Sequence, residues 1–403
     1  MNSVLQSLFH IPLFRRSVFE LPTENETDKE KSIALNLQAL FCSLLLAPQE
    51  QQAEQNKQNE SKSDTQNLAR SYISKYVKPV STKNLTKSFG WNSAEALQQQ
   101  DIQEFFRVLL NKLDDKIDER NKKNKENQEN NKKENEEVKH VSDIFKGQTI
   151  FTISGEKVDF KSERYEDFYD LSLSVKDSST LENSFLQFTK KEQLSDSYDT
   201  GKEKIAVQIQ AQIFKLPKVL TLHLQRFEYD FVHDSLTKIY DELKFNKKLD
   251  MSPFLHNLSP FKKGDKNRSE FTLTGVLIHS GDASFGHYYV FLRPKLSFNE
   301  DGSLDEEKSS FYEFNDSSVH RVKDEDAIDD NFGGFDTFYN STDPAYQSAY
   351  SNSYKRHSAY MLIYARNDCL REIYDTGYEI PSYIKEYSKS CQRSSKSGKK
   401  IIS

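Results

Sequence analysis

Cysteine is scarce: the 403 residues hold three, Cys42, Cys369 and Cys391, with no C-x-x-C pair. So few and so scattered, they exclude a disulfide framework and offer no zinc site, and they suit a reducing compartment. A cytoplasmic or nuclear protein is therefore expected. Long apolar runs are lacking too. The longest, Leu40 to Ala47, is broken by Ser43 and falls far short of the ~20 residues a membrane span needs. The N-terminus has no signal-peptide pattern, so no membrane partner is expected. Charge of one sign is also missing. The 62 acidic and 56 basic residues are well mixed and leave a net charge of -6, with no polybasic face for nucleic acid.

What is present is bulk. The chain carries 28 Phe and 20 Tyr, enough for real cores although only 35% of residues are hydrophobic. Two stretches stand apart, 48–67, dominated by Gln, Asn, Glu and Lys, and 119–137, almost wholly Asn, Lys and Glu; neither can bury a core, and both read as flexible insertions. Around them the pattern is helical. Ile33, Leu37, Leu40, Phe41, Leu44 and Leu45 share one face, as do Ile102, Phe105, Phe106, Leu109, Leu113 and Ile117. After Val141 the pattern shifts to short alternating segments: Val219–Leu224, Phe271–Ile278, Tyr288–Leu292, Phe311–Phe314 and Tyr360–Tyr364. Helices first and strands afterwards predict an α+β enzyme with lobes and a cleft. The end of the chain, 367–403, reads as a polar tail without a periodic core.

The segment richest in chemistry is Gly275 to Leu292, GVLIHSGDASFGHYYVFL: a strand, a turn-rich loop, then Gly286-His287-Tyr288 opening a second strand. A histidine at a strand start is more often structural than catalytic. Here, however, the following segment FYEFNDSSV ends a strand with Asn315 and Asp316, either of which could accept a hydrogen bond from the imidazole and set its tautomer.

GHYYVFL followed by FYEFNDSSVHRV resembles the histidine box of the ubiquitin-specific proteases, the papain-like cysteine deubiquitinases. Two further blocks match in order. LTKSFGWNSAEALQQQDIQEFFRVLLNKLDD (Leu85 to Asp115) is similar to the family's segment around its Q-x-D-x-x-E motif, and LPKVLTLHLQRFEYD (Leu216 to Asp230) to its central strand. SFGW and the closing SAYMLIYAR point to the type-seven and type-forty-seven subgroup. The resemblance implies the papain-like thumb–palm–fingers fold over 1–366, with a helical thumb at 1–139 and fingers and palm at 141–366. It implies hydrolysis of the bond between ubiquitin and lysine, with no cofactor and no metal, and with ubiquitin and ubiquitinated proteins as partners.

Carried over position by position, it makes His287 the general base, Asn315 its orienting partner and Asp316 a polar support. Asp101 and Glu104 would receive arginines of the ubiquitin tail; Phe227, His279, Asp282 and Tyr288 would line the channel for its terminal diglycine. Trp91 would sit in a loop that takes more than one arrangement, or simply anchor a core.

Three departures follow. The family places its nucleophilic cysteine two residues before a Met-Asn-Ser, and this sequence opens at Met1-Asn2-Ser3. A chain truncated before its cysteine box, and inactive as written, is therefore expected; the alternative is a non-catalytic ubiquitin-binding protein. Phe285 stands where the family has glycine, which would be strained if the backbone there takes positive φ. No cysteine pairs occur near Glu156 to Glu163, where relatives carry zinc, so no zinc is expected.

Overall fold

The computed structural model describes residues 1–59, 80–90, 102–130, 139–194, 198–199, 204–262, 264, 266–316, 318–336 and 354–397. Trp91 and Asp101 lie outside them. The helices are α1 (Asn2–Phe9), α2 (Pro12–Phe19), α3 (Ile33–Asn59), α4 (Lys83–Ser88), α5 (Ile102–Asn130), α6 (Leu181–Phe188), α7 (Asp324–Ala327), α8 (Leu370–Tyr374) and α9 (Ser382–Ser397). The strands are β1 (Gly147–Gly155), β2 (Lys161–Phe168), β3 (Leu171–Ser174), β4 (Glu192–Gln193), β5 (Tyr198–Asp199), β6 (Lys204–Ile205), β7 (Val207–Lys215), β8 (Val219–Gln225), β9 (Phe227–Asp230), β10 (Ser235–Lys238), β11 (Lys248–Asp250), β12 (Glu270–Gly281), β13 (Gly286–Leu292), β14 (Tyr312–Asn315), β15 (Ser318–Arg321) and β16 (His357–Arg366). They fall into two compact units.

The first unit is helical and holds 12–141 with 376–403. Its axis is α3, against which α2, α4, α5 and α9 pack. Because α3 has neighbours all round, Ala34 to Ser43 are buried on every side, not along the single face that the apolar spacing suggested. The enclosed polar groups are paired: Gln38 Nε2 donates to the carbonyls of Val18 (2.9 Å) and Leu21 (3.1 Å), and Asn36 Nδ2 to that of Ser32 (2.8 Å). The face expected on α5 is the buried one, with Ile102, Phe105, Phe106, Leu109, Leu113 and Ile117 all at most 3% exposed.

Helix runs on to Asn59 and to Asn130, into the first part of each stretch read as an insertion, and the rest of both stretches lies outside the described residues. One expectation is corrected here. The segment read as a tail contains α9. Its Ile384 is fully buried, Ser388 Oγ lies 2.7 Å from Ser43 Oγ, and Tyr387 donates to the carbonyl of Lys29 at 3.2 Å. Its buried stripe is Ile384 and Ser388, four apart, so serine disguises the period.

The second unit holds 2–11 and 142–375; α1 thus groups with the sheets, not with the helical lobe predicted to start at Met1. One antiparallel sheet runs β2-β1-β7-β4 and the larger β15-β14-β13-β12-β16-β8-β3, with β11 beside β12 and only the β3–β8 pair parallel. Strand β8 lies between β16 and β3 and is buried on both faces, Val219 and Thr221 as well as Leu220, Leu222 and Leu224. On one face of the large sheet a core gathers Phe185, Phe245, Phe271, Val276, Ile278 and Phe291. Helix α1 packs along β12, β13 and β14, and the ring of His10, just beyond it, lies 4.8 Å from that of Phe314.

Candidate active site

The β12–β13 hairpin is shaped by its turn. Gly281 takes φ +128°, where an added Cβ would meet the carbonyl oxygen of Phe285 at 2.3 Å. Asp282 closes the turn from inside: its Oδ1 accepts from the backbone N–H groups of Ser284 and Phe285, each at 2.9 Å, and its own N–H donates to the carbonyl of Phe285 at 2.9 Å. The same two N–H groups, Phe285 first, hold its carboxyl below the usual carboxylate range. Left-handed backbone therefore falls on glycine. Phe285 is not among the positive-φ residues, so the expected strain does not arise; its side chain points into solvent, 80% exposed.

This turn delivers His287 to the second position of β13, opposite Ser280. Its Nε2 lies 2.8 Å from Oδ1 of Asn315, the last residue of β14, and 3.9 Å from a carboxylate oxygen of Asp316, which turns the chain at φ +51°. The imidazole lies nearly parallel to the Tyr289 ring, centroids 6.2 Å apart, and its side chain is 47% exposed. The structure thus brings together His287, Asn315 and Asp316 as the sequence suggested.

It separates them from the other hairpin candidates. Side chains alternate along a strand, so Tyr288 projects from the opposite face to His287. There it pairs with His279 across the hairpin, their rings 4.7 Å apart. Phe227 stands edge-on to His279 at 5.1 Å, and Tyr360 lies 5.5 Å from Tyr288. His279 is 1% exposed, and among the described residues its Nδ1 has no hydrogen-bond partner. Burial, then the nearby Lys238 ammonium, push it down to about 4, so it is a neutral packing group near neutral pH. Asp282 lies on the exposed turn, and Glu104 is exposed on the first turn of α5.

Two cations hold this region: Lys238, which the sequence reading passed over, and Arg226, the arginine of the Arg-Phe pair in the matched segment, which the resemblance would set against ubiquitin but which is buried. Arg226, fully buried, donates through Nε to the carbonyl of Ala359 (2.9 Å), through Nη1 to those of Ile239 (3.1 Å) and Asp241 (2.8 Å), and through Nη2 to that of Phe332 (2.8 Å). Lys238 Nζ donates to the carbonyls of His279 (3.2 Å), Gly281 (2.9 Å) and Arg356 (2.7 Å), tying the end of β12 to the start of β16. Nothing local in the sequence marks their acceptors, which are backbone atoms 13 to 133 residues away. Among the described residues no group of three His, Cys, Asp or Glu side chains could hold a metal, and no helix is long and apolar enough to cross a membrane.

The family model described as ubiquitin carboxyl-terminal hydrolase matches residues 1–364. Among curated proteins, ubiquitin carboxyl-terminal hydrolase 15 of Schizosaccharomyces pombe is 34% identical over 394 residues, covering 96% of this chain and 29% of that protein. Ubiquitin carboxyl-terminal hydrolase 7 of Drosophila melanogaster is 31% identical over 376 residues, covering 93% and 27%. Ubiquitin C-terminal hydrolase 12 of Arabidopsis thaliana is 33% identical, covering 91% and 28%. The chain spans less than a third of each of these relatives. In three dimensions it matches a chain from the structure titled SAGA Ubp8/Sgf11/Sus1/Sgf73 DUB module bound to ubiquitin aldehyde, with a TM-score of 0.58 at 21% identity, over 91% of this chain and 66% of that one.

Proposed function

As a member of the ubiquitin carboxyl-terminal hydrolase family, the chain is one in which, we propose, His287 and Asn315 form the base-and-orienter half of a cysteine-protease site for ubiquitin's C-terminal bond to lysine. The observation that carries this reading is the 2.8 Å contact between His287 Nε2 and Asn315 Oδ1. An amide oxygen only accepts, so Nε2 must carry the proton and Nδ1 is left as the basic nitrogen. In such a site Nδ1 takes the proton of a thiol as the sulfur bonds to the terminal carbonyl of ubiquitin. The lysine amine leaves with that proton, and water then splits the thioester. A carboxylate oxygen of Asp316 stands 3.9 Å from the same Nε2, at the edge of the pair.

The same reading holds that this polypeptide by itself binds ubiquitin without cutting it. Among the described residues the partners of His287 are Asn315, Asp316 and Tyr289, and none is a thiol. Cys42 is fully buried, and Cys369 accepts a hydrogen bond from Arg366 while burial pushes its thiol up to about 11. Cys391, half-buried, interacts with Tyr387. A useful nucleophile needs the opposite setting, a thiolate held near neutral pH and open to substrate. For recognition, the half-buried Phe227 and Tyr288 form one wall of the channel for the ubiquitin tail, with the buried His279 packed behind them and Asp282 at its turn. Asp101 and Glu104 remain the acids for the tail's arginines.

Incubating the purified chain with a fluorogenic ubiquitin amide is expected to release no fluorophore above the buffer rate, while titration into labelled ubiquitin shifts ubiquitin's amide resonances. Turnover that survives repurification would refute the claim about the thiols. An unchanged ubiquitin spectrum would refute the choice of substrate.

A further inference from the structure

The hydrogen-bond chain that starts at His287 does not stop at Asn315. Asn315 Nδ2 donates to Oε1 of Glu313 at 3.1 Å, and the second oxygen of that carboxylate lies 3.1 Å from Nε2 of His320. The β14–β15 hairpin builds this line. Glu313 and Asn315 are two apart on β14 and so share a face, while His320 is the direct cross-strand partner of Glu313. The Glu313 side chain is 20% exposed, well shielded for a carboxylate.

The two ends of an Asn side chain are nearly equal in shape, and only their partners decide which end points where. A carboxylate accepts and never donates, so Glu313 commits the amide's NH2 to itself and leaves Oδ1 for His287. Oδ1 in turn requires N–H at His287 Nε2. We propose that Glu313, braced by His320, is a positioning residue that fixes the Asn315 amide and through it the tautomer of His287. The proposal rests on the reading of His287 as the base, and it names a group that the sequence comparison of the histidine box did not single out.

Replacing the acceptor by a donor reverses the logic. In Glu313→Lys the ammonium draws Oδ1 of Asn315 toward itself, presents Nδ2 to His287, and so demands an unprotonated Nε2. The test is imidazole 15N NMR on the full chain, recorded about two pH units above the ordinary histidine value of ~6.5 so that rings are neutral. The parent is expected to show Nε2–H at His287, Glu313→Gln to keep it because its amide oxygen still accepts, and Glu313→Lys to populate Nδ1–H. A Glu313→Lys ring that keeps the parent tautomer would overturn the proposal. If that variant does not fold, Glu313→Ala serves. The side-chain amide protons of Asn315 should then exchange about tenfold faster, as befits loss of a hydrogen bond to a charged acceptor, and unchanged exchange overturns the proposal equally. Because the tautomer is read without turnover, failure of His287 as a base would leave this result standing, and the two claims fall separately.

Discussion

Replacing Gly286 by alanine should be costly for a reason that can be traced atom by atom. A Cβ built there would lie 2.0 Å from Nε2 of His279, 2.7 Å from its Cε1 and 2.9 Å from its Cδ2, all far inside van der Waals contact. The ring has no room to retreat. It is 1% exposed, and Phe227 stands edge-on to it at 5.1 Å with Tyr288 at 4.7 Å. Overpacking of this kind costs roughly 1–3 kcal/mol. The backbone at Gly286 is not left-handed, so alanine also gains about 0.4–1 kcal/mol by restricting the unfolded chain. The net expectation is a loss of about 1–2 kcal/mol, read as a lowered urea midpoint with an unchanged slope. If the clash with His279 is the cause, removing the ring must relieve it. In a His279→Ala background the added cost of Gly286→Ala should fall to near zero or become a gain. A double-mutant cycle in which the two effects add to within ~0.5 kcal/mol would refute the reasoning.

Two further outcomes are expected. Arg226→Lys should lower unfolding stability by about 3 kcal/mol in urea, because one ammonium cannot serve the four dispersed carbonyls that the guanidinium fork reaches, and buried acceptors left bare cost ~1–3 kcal/mol each; a loss under ~1 kcal/mol would contradict this. Lys238 makes stability depend on pH. Burial, then Arg226, push its ammonium down to about 7, so between there and the ordinary lysine value the unfolded chain holds more protons than the folded one. Stability relative to Lys238→Met should therefore rise as pH climbs through that window, by less than ~1.4 kcal/mol per unit. It should be flat below it, and a difference that is constant or falling from pH 7 to 9 would be the contrary result.

Much of the site was legible in advance because it is local. His287 opens a strand after a turn, and Asn315 closes the next strand. Two adjacent antiparallel strands bring such ends together whatever the rest of the molecule does. The apolar face of α5 was legible for the same kind of reason, since a one-sided helix shows its period. Glu313 was half-visible: its spacing from Asn315 marks a shared face, but its role depends on His320 across the hairpin. Helix α9 was missed because its buried stripe includes serine. The burial of α3 on every side was missed because it comes from neighbours distant in sequence.

What the sequence determined by itself is thus the set of short-range facts: the strand and helix periods, the turn-rich loop before His287, an acceptor for that histidine at Asn315 or Asp316, and the family to which they point. Only the tertiary structure decided that His279 meets Tyr288 across the hairpin and is buried beneath it and Phe227. It also decided that Arg226 and Lys238 bind main-chain carbonyls and that α1 belongs with the sheets. The physical reason is that side-chain period is written in neighbouring residues, whereas the partner of a buried donor is a backbone atom that any residue supplies, and only the folded chain brings it within reach.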